Sequence, residues 1–356
     1  MTRIERIPDT VALQYSELMQ QCIHPAPDGA NISFKSKVVA GKRYWYLYIS
    51  LGARRSEHYL GEETTELLDT IDEERELWES TEDDRMTRSR LVAMLIAGGA
   101  TITPDNEGKV LALLERSGMF LAGGVVIGTL AFRVYANMLG VIWHSELQTR
   151  DIDLASDYKY PIIIPRSKKP INLSEILLNS GMGFLEVPAL NRKSPSTKFK
   201  IRGQELAVEL LTPMRGRDTA KPVEIPGLSA FAEPVRFLNY LLDDIQLAVL
   251  LYKHGVLINV PAPARFAFHK LVVSQRRRAG DVEKIKRDLA QAEQLFEVLI
   301  DGRSGDLILA HEAAEKMGEK FVQQLASGMK SIAPDVSEAV RKITGINFDA
   351  VSRKKS

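Results

Sequence analysis

The spacing of apolar and polar residues changes several times along the chain. Apolar positions at helical spacing predict a first helix over residues 9–23. Residues 35–61 are rich in aromatic and β-branched residues with glycine at the turns, which predicts two or three antiparallel strands. Residues 63–98 are dense in Glu, Asp, Arg and Leu, and a dip in hydropathy near residues 80–85 predicts two surface helices with a break between them.

In the middle of the chain, predicted strands alternate with predicted helices. A helix follows Pro104 and ends near Gly118, because glycine commonly caps a helix C-terminus. The next predicted elements are a strand over 120–127, a helix over 129–139, a strand that holds Asp151 and Asp153, a short helix over 173–179, and single strands over 183–190 and 197–213.

From Pro234 onward the pattern is mostly helical. Helices are predicted over residues 234–253, 262–278, 281–300, 304–316 and 318–343, with one apolar strand over 255–261. The predicted fold class is α/β or α+β, a small mixed sheet with flanking helices. We expect an N-terminal module of a helix and a β-hairpin over 1–100, a core over 101–233 and a mainly helical region over 234–356.

Composition narrows the class of protein further. The chain has 356 residues, of which 45% are hydrophobic and 26% charged, as in an ordinary globular protein. A formal net charge of +1 argues against a surface that binds polyanions over its whole area. Cys22 is the only cysteine, so an internal disulfide is excluded and a reducing compartment fits best. No stretch predicts a signal peptide or a membrane span, so we expect a cytoplasmic protein.

Two aspartates stand one residue apart in the segment "TRDIDLA". On a strand, Asp151 and Asp153 project to the same face, where two ionised carboxylates repel unless a cation lies between them. Carboxylate oxygens together with a phosphate-bearing substrate suit Mg²⁺, or Mn²⁺ in its place. A third carboxylate is available in "ELAVELLTP" from Glu209, or from Glu205, which has the same strand parity. Alternatively, the aspartates end a surface strand and Glu209 faces water.

A glycine and a threonine precede this pair at a predicted strand–helix junction. Glycine lets the backbone approach a phosphate, and the helix N-terminus presents free N–H groups to an anion. Thr129 adds a hydroxyl donor beside Gly128. The two aspartates would then hold a metal ion against a triphosphate bound at Gly128 and Thr129.

Gly-Thr at a strand–helix turn, then Asp-x-Asp on a strand, then an acidic residue on a later strand, resembles the nucleotidyltransferases of the DNA polymerase β superfamily. The sequence "VIGTLAFRVYANMLGV…TRDIDLA" is similar to those of a bacterial branch of nucleotidyltransferases that is related to toxins of abortive-infection and toxin–antitoxin systems. The resemblance implies that Gly128 and Thr129 contact the triphosphate. It also implies that Asp151, Asp153 and Glu209 are catalytic metal ligands.

The toxin-like relatives also have a Lys-Leu pair that opens a helix and an Asp on the next helix. The segment "FHKLVVSQRRRAGDVEKIKRDLAQAEQL" resembles this arrangement, which implies that Lys270 contacts the nucleotide and that Asp288 supports it. Otherwise Lys270 is an ordinary lysine on an amphipathic helix, and Asp288 pairs with Lys284. The basic residues of 275–278 either end a helix in solvent or help to hold a triphosphate or nucleic acid.

The resulting hypothesis is a metal-dependent enzyme that moves a nucleoside monophosphate (NMP) from an NTP, such as ATP, to an acceptor hydroxyl and releases pyrophosphate. The acceptor is RNA such as tRNA, a protein or a small molecule, and the toxin resemblance adds an antitoxin-like partner protein. Alternatives are a non-catalytic scaffold that binds nucleic acid or a partner, and a metal-dependent phosphodiesterase. The aromatic and basic hairpin of 35–61 is either a stacking platform for nucleic acid or the core of a small sheet.

Overall fold

The structure of the chain is a computed structural model. It describes residues 4–23, 31–39, 41–51, 54–143, 151–157, 171–189, 194–217, 221–278 and 280–345. Within these ranges the chain is a mixed α+β structure. No helix among these residues is both long enough and apolar enough to cross a bilayer.

The strands of the described ranges are β1 Glu5–Arg6, β2 Asn31–Val39, β3 Lys42–Leu51, β4 Arg54–Glu62, β5 Val125–Ile127, β6 Val141–Ile142, β7 Asp151–Ala155, β8 Phe184–Glu186, β9 Lys198–Ile201, β10 Ala207–Pro213, β11 Val223–Ile225, β12 Ala230–Val235, β13 Ile245–Leu250 and β14 Val256–Pro261. The helices are α1 Asp9–Ile23, α2 Thr65–Ala97, α3 Asp105–Arg116, α4 Gly128–Leu139, α5 Leu173–Leu178, α6 Asn239–Leu242, α7 Pro263–Ser274, α8 Val282–Gly302, α9 Ser304–Glu315, α10 Glu319–Met329 and α11 Pro334–Thr344. A short 3₁₀ turn spans Pro226–Leu228.

A mixed sheet of seven strands lies at the centre of the described fold. Its main path runs β11-β12-β10-β7-β5, and β10 is parallel to both β7 and β12. The first half of β10 also pairs with β9 in antiparallel fashion, and β8 extends that edge. Five of the seven β10 residues are buried, so this strand is covered on both faces over most of its length.

The N-terminal helix α1 packs on the rest of the protein through one face. Its buried residues Val11, Tyr15, Leu18 and Cys22 recur at helical spacing. The Tyr15 hydroxyl donates a hydrogen bond to the Val249 carbonyl oxygen at 3.0 Å and accepts one from the Val249 amide at 2.9 Å. These contacts fix α1 to strand β13 and confirm the predicted first helix.

The predicted aromatic strands form an antiparallel sheet of order β2-β3-β4, which confirms three strands in this region. The Tyr46 ring packs against Tyr59 at a centroid distance of 5.5 Å, and the Lys37 ammonium lies 4.5 Å from the Tyr46 centroid. Tyrosines and a lysine therefore cover one another on a single face of this sheet.

The C-terminal helices surround α7, whose side chains are buried along most of its length. Phe268 of α7 packs on Phe296 of α8 with ring centroids 5.1 Å apart. Both belong to one continuous hydrophobic core that also contains Val208 and Leu210 of the central sheet. This core therefore extends across residue 233, and the predicted division of the chain at that position stays a prediction.

Four predicted elements are wrong, including the helix expected over 318–343, which is two helices. The region expected to hold two helices over 63–98 forms one uninterrupted helix, α2 over Thr65–Ala97, since the polar segment 80–85 contains no glycine or proline. Residues 197–213 form a hairpin of β9 and β10 instead of one strand, because Gly203 with φ of +74° makes the turn between them. The predicted helix over 234–253 is replaced by the end of β12, a single turn of helix and β13, which pairs with β14.

The other predicted elements differ mainly in their ends. The strand expected over 120–127 is shorter and begins at Val125, because residues 117–123 form turns. The helix expected over 318–343, the fourth wrong element, is divided into α10 and α11, and Pro334 opens the second of them. The predicted α+β class is confirmed at this level of detail.

Candidate active site

Three carboxylates lie side by side on the central sheet. In the parallel pairing of β10 with β7, Glu209 stands directly opposite Asp153, and Ala207 stands opposite Asp151. Residues two apart on a strand share a face, so Asp151 and Asp153 lie on the same side of β7, with Glu209 beside them. The apolar neighbours Ile152 and Val208 are fully buried and hold the two strands in this register.

The hairpin partner of β10 contributes a cation to the same face. Lys198 of β9 pairs with Glu209 across the ladder. Its ammonium nitrogen lies 2.8 Å from Oδ1 of Asp151 and 3.6 Å from Oε2 of Glu209. Burial lowers the pKa of Lys198, but the surrounding carboxylates outweigh burial and raise it.

The glycine at the strand–helix junction is in close contact with this acidic face. Ile127 of β5 pairs with Asp153, and Gly128 follows with φ of +68°, a conformation that favours glycine. A Cβ atom at position 128 would lie 2.2 Å from Oδ2 of Asp153. Gly128 is therefore required both for its backbone conformation and for the space that it leaves to the carboxylate.

Thr129 and Glu205 take different places relative to the carboxylates. Thr129 is the second residue of α4 and is partly buried, so its position at the helix N-terminus is the predicted one. Glu205 is exposed in the turn between β9 and β10, before β10 begins. The structure therefore brings Glu209, and not Glu205, next to Asp153.

Two carboxylates of the acidic face, Asp153 and Glu209, have pKa values above their ordinary range, mainly because they are buried. Burial, followed by the charge of Asp151, raises the pKa of Asp153 to about 6, although Lys270, Lys198 and Arg277 act in the opposite direction. Burial is also the main cause that raises the pKa of Glu209 to about 7. Both groups would ionise more readily if a further cation lay beside them.

A second charged group lies between α7 and α8. The Lys270 ammonium donates to Oδ1 of Asp288 at 2.6 Å, and Nε of Arg277 donates to Oδ2 at 3.0 Å. Burial alone would raise the pKa of Asp288, but the two cations outweigh it and lower that pKa. Asp288 is 2% exposed, so its contacts are with the two cations instead of solvent. Lys270 and Arg277 are also close enough to favour the ionised form of Asp153.

Sequence reasoning did not find Lys198. Its signal is the alternation of Lys198, Phe199, Lys200 and Ile201, which is typical of a strand with one polar face. Recognising the turn at Gly203 would have placed Lys198 opposite Glu209. Arg277 lies within the basic run that the sequence had offered as a triphosphate contact.

The donor set can be compared with what a metal ion requires. Among the residues that the structure describes, no three His, Cys, Asp or Glu side chains are grouped so that they could hold a metal ion. The chemistry of Asp151, Asp153 and Glu209 nevertheless fits Mg²⁺, because carboxylate oxygens from neighbouring strands are its preferred protein ligands. Lys198 would have to leave Asp151 for such an ion to bind.

These features define an α+β protein with an acidic sheet face beside a glycine at a helix N-terminus. A family model described as "Nucleotidyltransferase" matches residues 105–315, which include all of the carboxylates discussed above. This match covers more than half of the chain, so the protein belongs to this nucleotidyltransferase family. No curated protein matches the chain. No solved structure matches it either.

Proposed function

We propose that the protein transfers an NMP from an NTP to an acceptor hydroxyl with release of pyrophosphate, and that the reaction depends on Mg²⁺ or Mn²⁺. The observation that carries this proposal is the juxtaposition of Asp151, Asp153 and Glu209 on one sheet face beside Gly128. Family membership supports nucleotidyl transfer in general. Metal dependence, the NTP and the acceptor are the further parts of the proposal.

In the proposed reaction the acceptor oxygen attacks the α-phosphorus of the NTP. The new bond joins that oxygen to the α-phosphorus, and the bond from the α-phosphorus to the bridging oxygen of the β-phosphate breaks. The electron pair leaves with pyrophosphate, and the acceptor proton passes to a base, for which Glu209 is placed on the sheet face. A divalent cation held by Asp151, Asp153 and Glu209 would supply charge neutralisation and orient the triphosphate.

The cationic and backbone groups around the carboxylates have separate roles in this proposal. The N–H groups at the start of α4, next to Gly128 and Thr129, would bind phosphate oxygens. Lys270 and Arg277 would stabilise the negative charge that builds on the phosphoryl oxygens. Asp288 would act as a positioning residue, because its carboxylate bonds to both of these cations.

The identity of the acceptor is part of the proposal and does not follow from the family match. RNA, including tRNA, is the first acceptor to test because of the resemblance to toxin-like nucleotidyltransferases, and protein and small alcohols follow. The same resemblance suggests an antitoxin-like protein as a partner, and ATP is one of the NTPs to test. We also propose a cytoplasmic location, because a single cysteine fits a reducing compartment. These expectations set the range of acceptors and nucleotides in the experiment below.

The experiment follows label from each of four α-³²P NTPs, with Mg²⁺ or Mn²⁺, into total RNA, cell protein and the enzyme itself, and measures pyrophosphate. We expect transfer by the wild type and by Glu205→Gln, and a loss of at least about 100-fold in Asp153→Asn and Glu209→Gln. Equal transfer by Asp153→Asn and wild type would contradict the proposal. Hydrolysis of phosphodiesters without pyrophosphate would support a phosphodiesterase, and metal-independent binding of nucleic acid would support a scaffold.

A further inference from the structure

Lys198 occupies the position on the acidic face where a cation between the carboxylates would be expected. Its ammonium lies within 4 Å of two carboxylates from different strands, at 2.8 Å from Asp151 and 3.6 Å from Glu209. An ordinary surface ion pair joins one cation to one carboxylate, and its contribution is small. A lysine shared between two proposed metal ligands competes directly with a metal ion for the same oxygens.

The backbone of the hairpin determines where this lysine lies. Glu209 pairs with Lys198 on one side and with Asp153 on the other, so β10 stands between the lysine and the aspartate strand. The Lys198 side chain reaches across β10 to Asp151 and remains 32% exposed. A long and partly exposed side chain of this kind can leave Asp151 without a change in the backbone.

We propose that Lys198 is an internal counter-ion that competes with a divalent cation for the oxygens of Asp151 and Glu209. A metal ion binds only when the ammonium leaves Asp151 and Glu209, and the ammonium then pairs with the triphosphate of the incoming nucleotide. This inference rests on the proposed function for the identity of the nucleotide. It makes Lys198 a positioning residue that couples metal binding to nucleotide binding.

Removing Lys198 should change metal binding and nucleotide binding in opposite directions. A purely structural role of Lys198 would not produce this. Without the lysine charge, one cation that competes for Asp151 and Glu209 is removed, and the metal alone binds more tightly. The triphosphate loses a cationic partner at the same time, so the nucleotide binds more weakly. A lysine that only stabilised the hairpin would weaken both when removed.

The first measurement is a titration of metal-free protein with Mn²⁺, followed by electron paramagnetic resonance of the free ion. We expect Lys198→Met to bind Mn²⁺ roughly fivefold more tightly than the wild type, since a partly buried ion pair is no longer broken. Lys198→Arg should bind as the wild type does. Lys198→Gln replaces the methionine variant if the latter does not fold.

Lys200→Met is the matched control. Lys200 lies two residues further along β9, on the same face, and its side chain is exposed. Its replacement removes the same charge from the same strand, so Mn²⁺ affinity should stay near that of the wild type. If Lys200→Met tightens binding as much as Lys198→Met, a general effect of net charge explains the result and the inference is overturned.

The second measurement separates this inference from the proposed function. In the α-³²P transfer assay, Lys198→Met should raise the KM for NTP about fivefold or more. Unchanged or weaker Mn²⁺ binding by Lys198→Met overturns the role of Lys198, even where the wild type transfers NMP. Tighter Mn²⁺ binding by Lys198→Met, with no transfer by any variant, supports the counter-ion and refutes the proposed function.

Discussion

Alanine substitution of two glycines separates backbone strain from displacement of a site carboxylate. Gly128 and Gly140 stand at the two ends of α4 with nearly the same left-handed φ, +68° and +67°. A Cβ at Gly128 would lie 2.2 Å from Oδ2 of Asp153. A Cβ at Gly140 would make ordinary contacts of 3.7 Å with Ala12 and Ile7. Gly140→Ala therefore reproduces the backbone strain of Gly128→Ala without the collision.

The magnitudes follow from these distances. The left-handed conformation costs an L-residue about 1–2 kcal/mol, and both variants should lose this much stability. In Gly128→Ala the Asp153 carboxylate must also move by about 1 Å to reach an ordinary contact distance. Rotation of that side chain away from its preferred conformation adds roughly 1 kcal/mol. The displacement affects function more than stability, because an error of about 1 Å in a reacting group costs around 100-fold in rate.

Urea denaturation and the NMP-transfer assay measure the two effects separately. We expect the two variants to differ in unfolding free energy by about 1 kcal/mol. We expect Gly140→Ala to keep most of its transfer activity and Gly128→Ala to lose at least tenfold. Equal activity in both variants would show that the position of the Asp153 carboxylate beside Gly128 does not matter for the reaction.

Three further predictions concern the charges of the site. Because folding raises the pKa of Asp153 from 3.8 to about 6 and that of Glu209 from 4.5 to about 7, the folded state binds more protons than the unfolded state between these values. Urea denaturation in the presence of a chelator should therefore show that stability falls as the pH rises from about 4 to about 7. Up to roughly 3 kcal/mol of this loss comes from Asp153, and the fall should be smaller in Asp153→Asn. Asp288→Ala should lose roughly 3–5 kcal/mol in the same assay at pH 7, because Lys270 then lacks its buried partner, and a loss below 1 kcal/mol would contradict that role. Glu205→Gln should leave both stability and transfer unchanged, and a loss of transfer comparable with that of Glu209→Gln would show that the turn contributes to the site.

Local periodicity predicted those elements whose identity depends on their own residues. The face of α1 and the apolar strand β14 could be recognised in the sequence. The segment that becomes β13 could not, because a short apolar run is compatible with either a helix or a strand. Its conformation is decided by the ladder with β14, a pairing between residues that the sequence analysis had not connected.

The residues of the candidate site also fall into two groups, those that local periodicity predicts and those that depend on the pairing of distant strands. Asp151 and Asp153 share a face for a local reason, the period of two in a strand, and this could be deduced from the sequence. The place of Glu209 opposite Asp153 depends on the parallel register of two strands that are more than 50 residues apart. The sequence offered both Glu209 and Glu205 as the third carboxylate, because they share the same strand parity, and only the family resemblance favoured Glu209.

The three cations near the carboxylates come from separate elements. Lys198 comes from β9, between β8 and β10, whereas Lys270 and Arg277 come from α7 and the turn after it, where Asp288 holds both. Because Asp288 is itself buried, its carboxylate holds Lys270 and Arg277 in place. Lys198 has no such buried anchor among its described contacts, and its two carboxylate partners are the proposed metal ligands. Of these three cations, Lys198 is therefore the one to which our proposal assigns a movement when a metal ion and a triphosphate enter together.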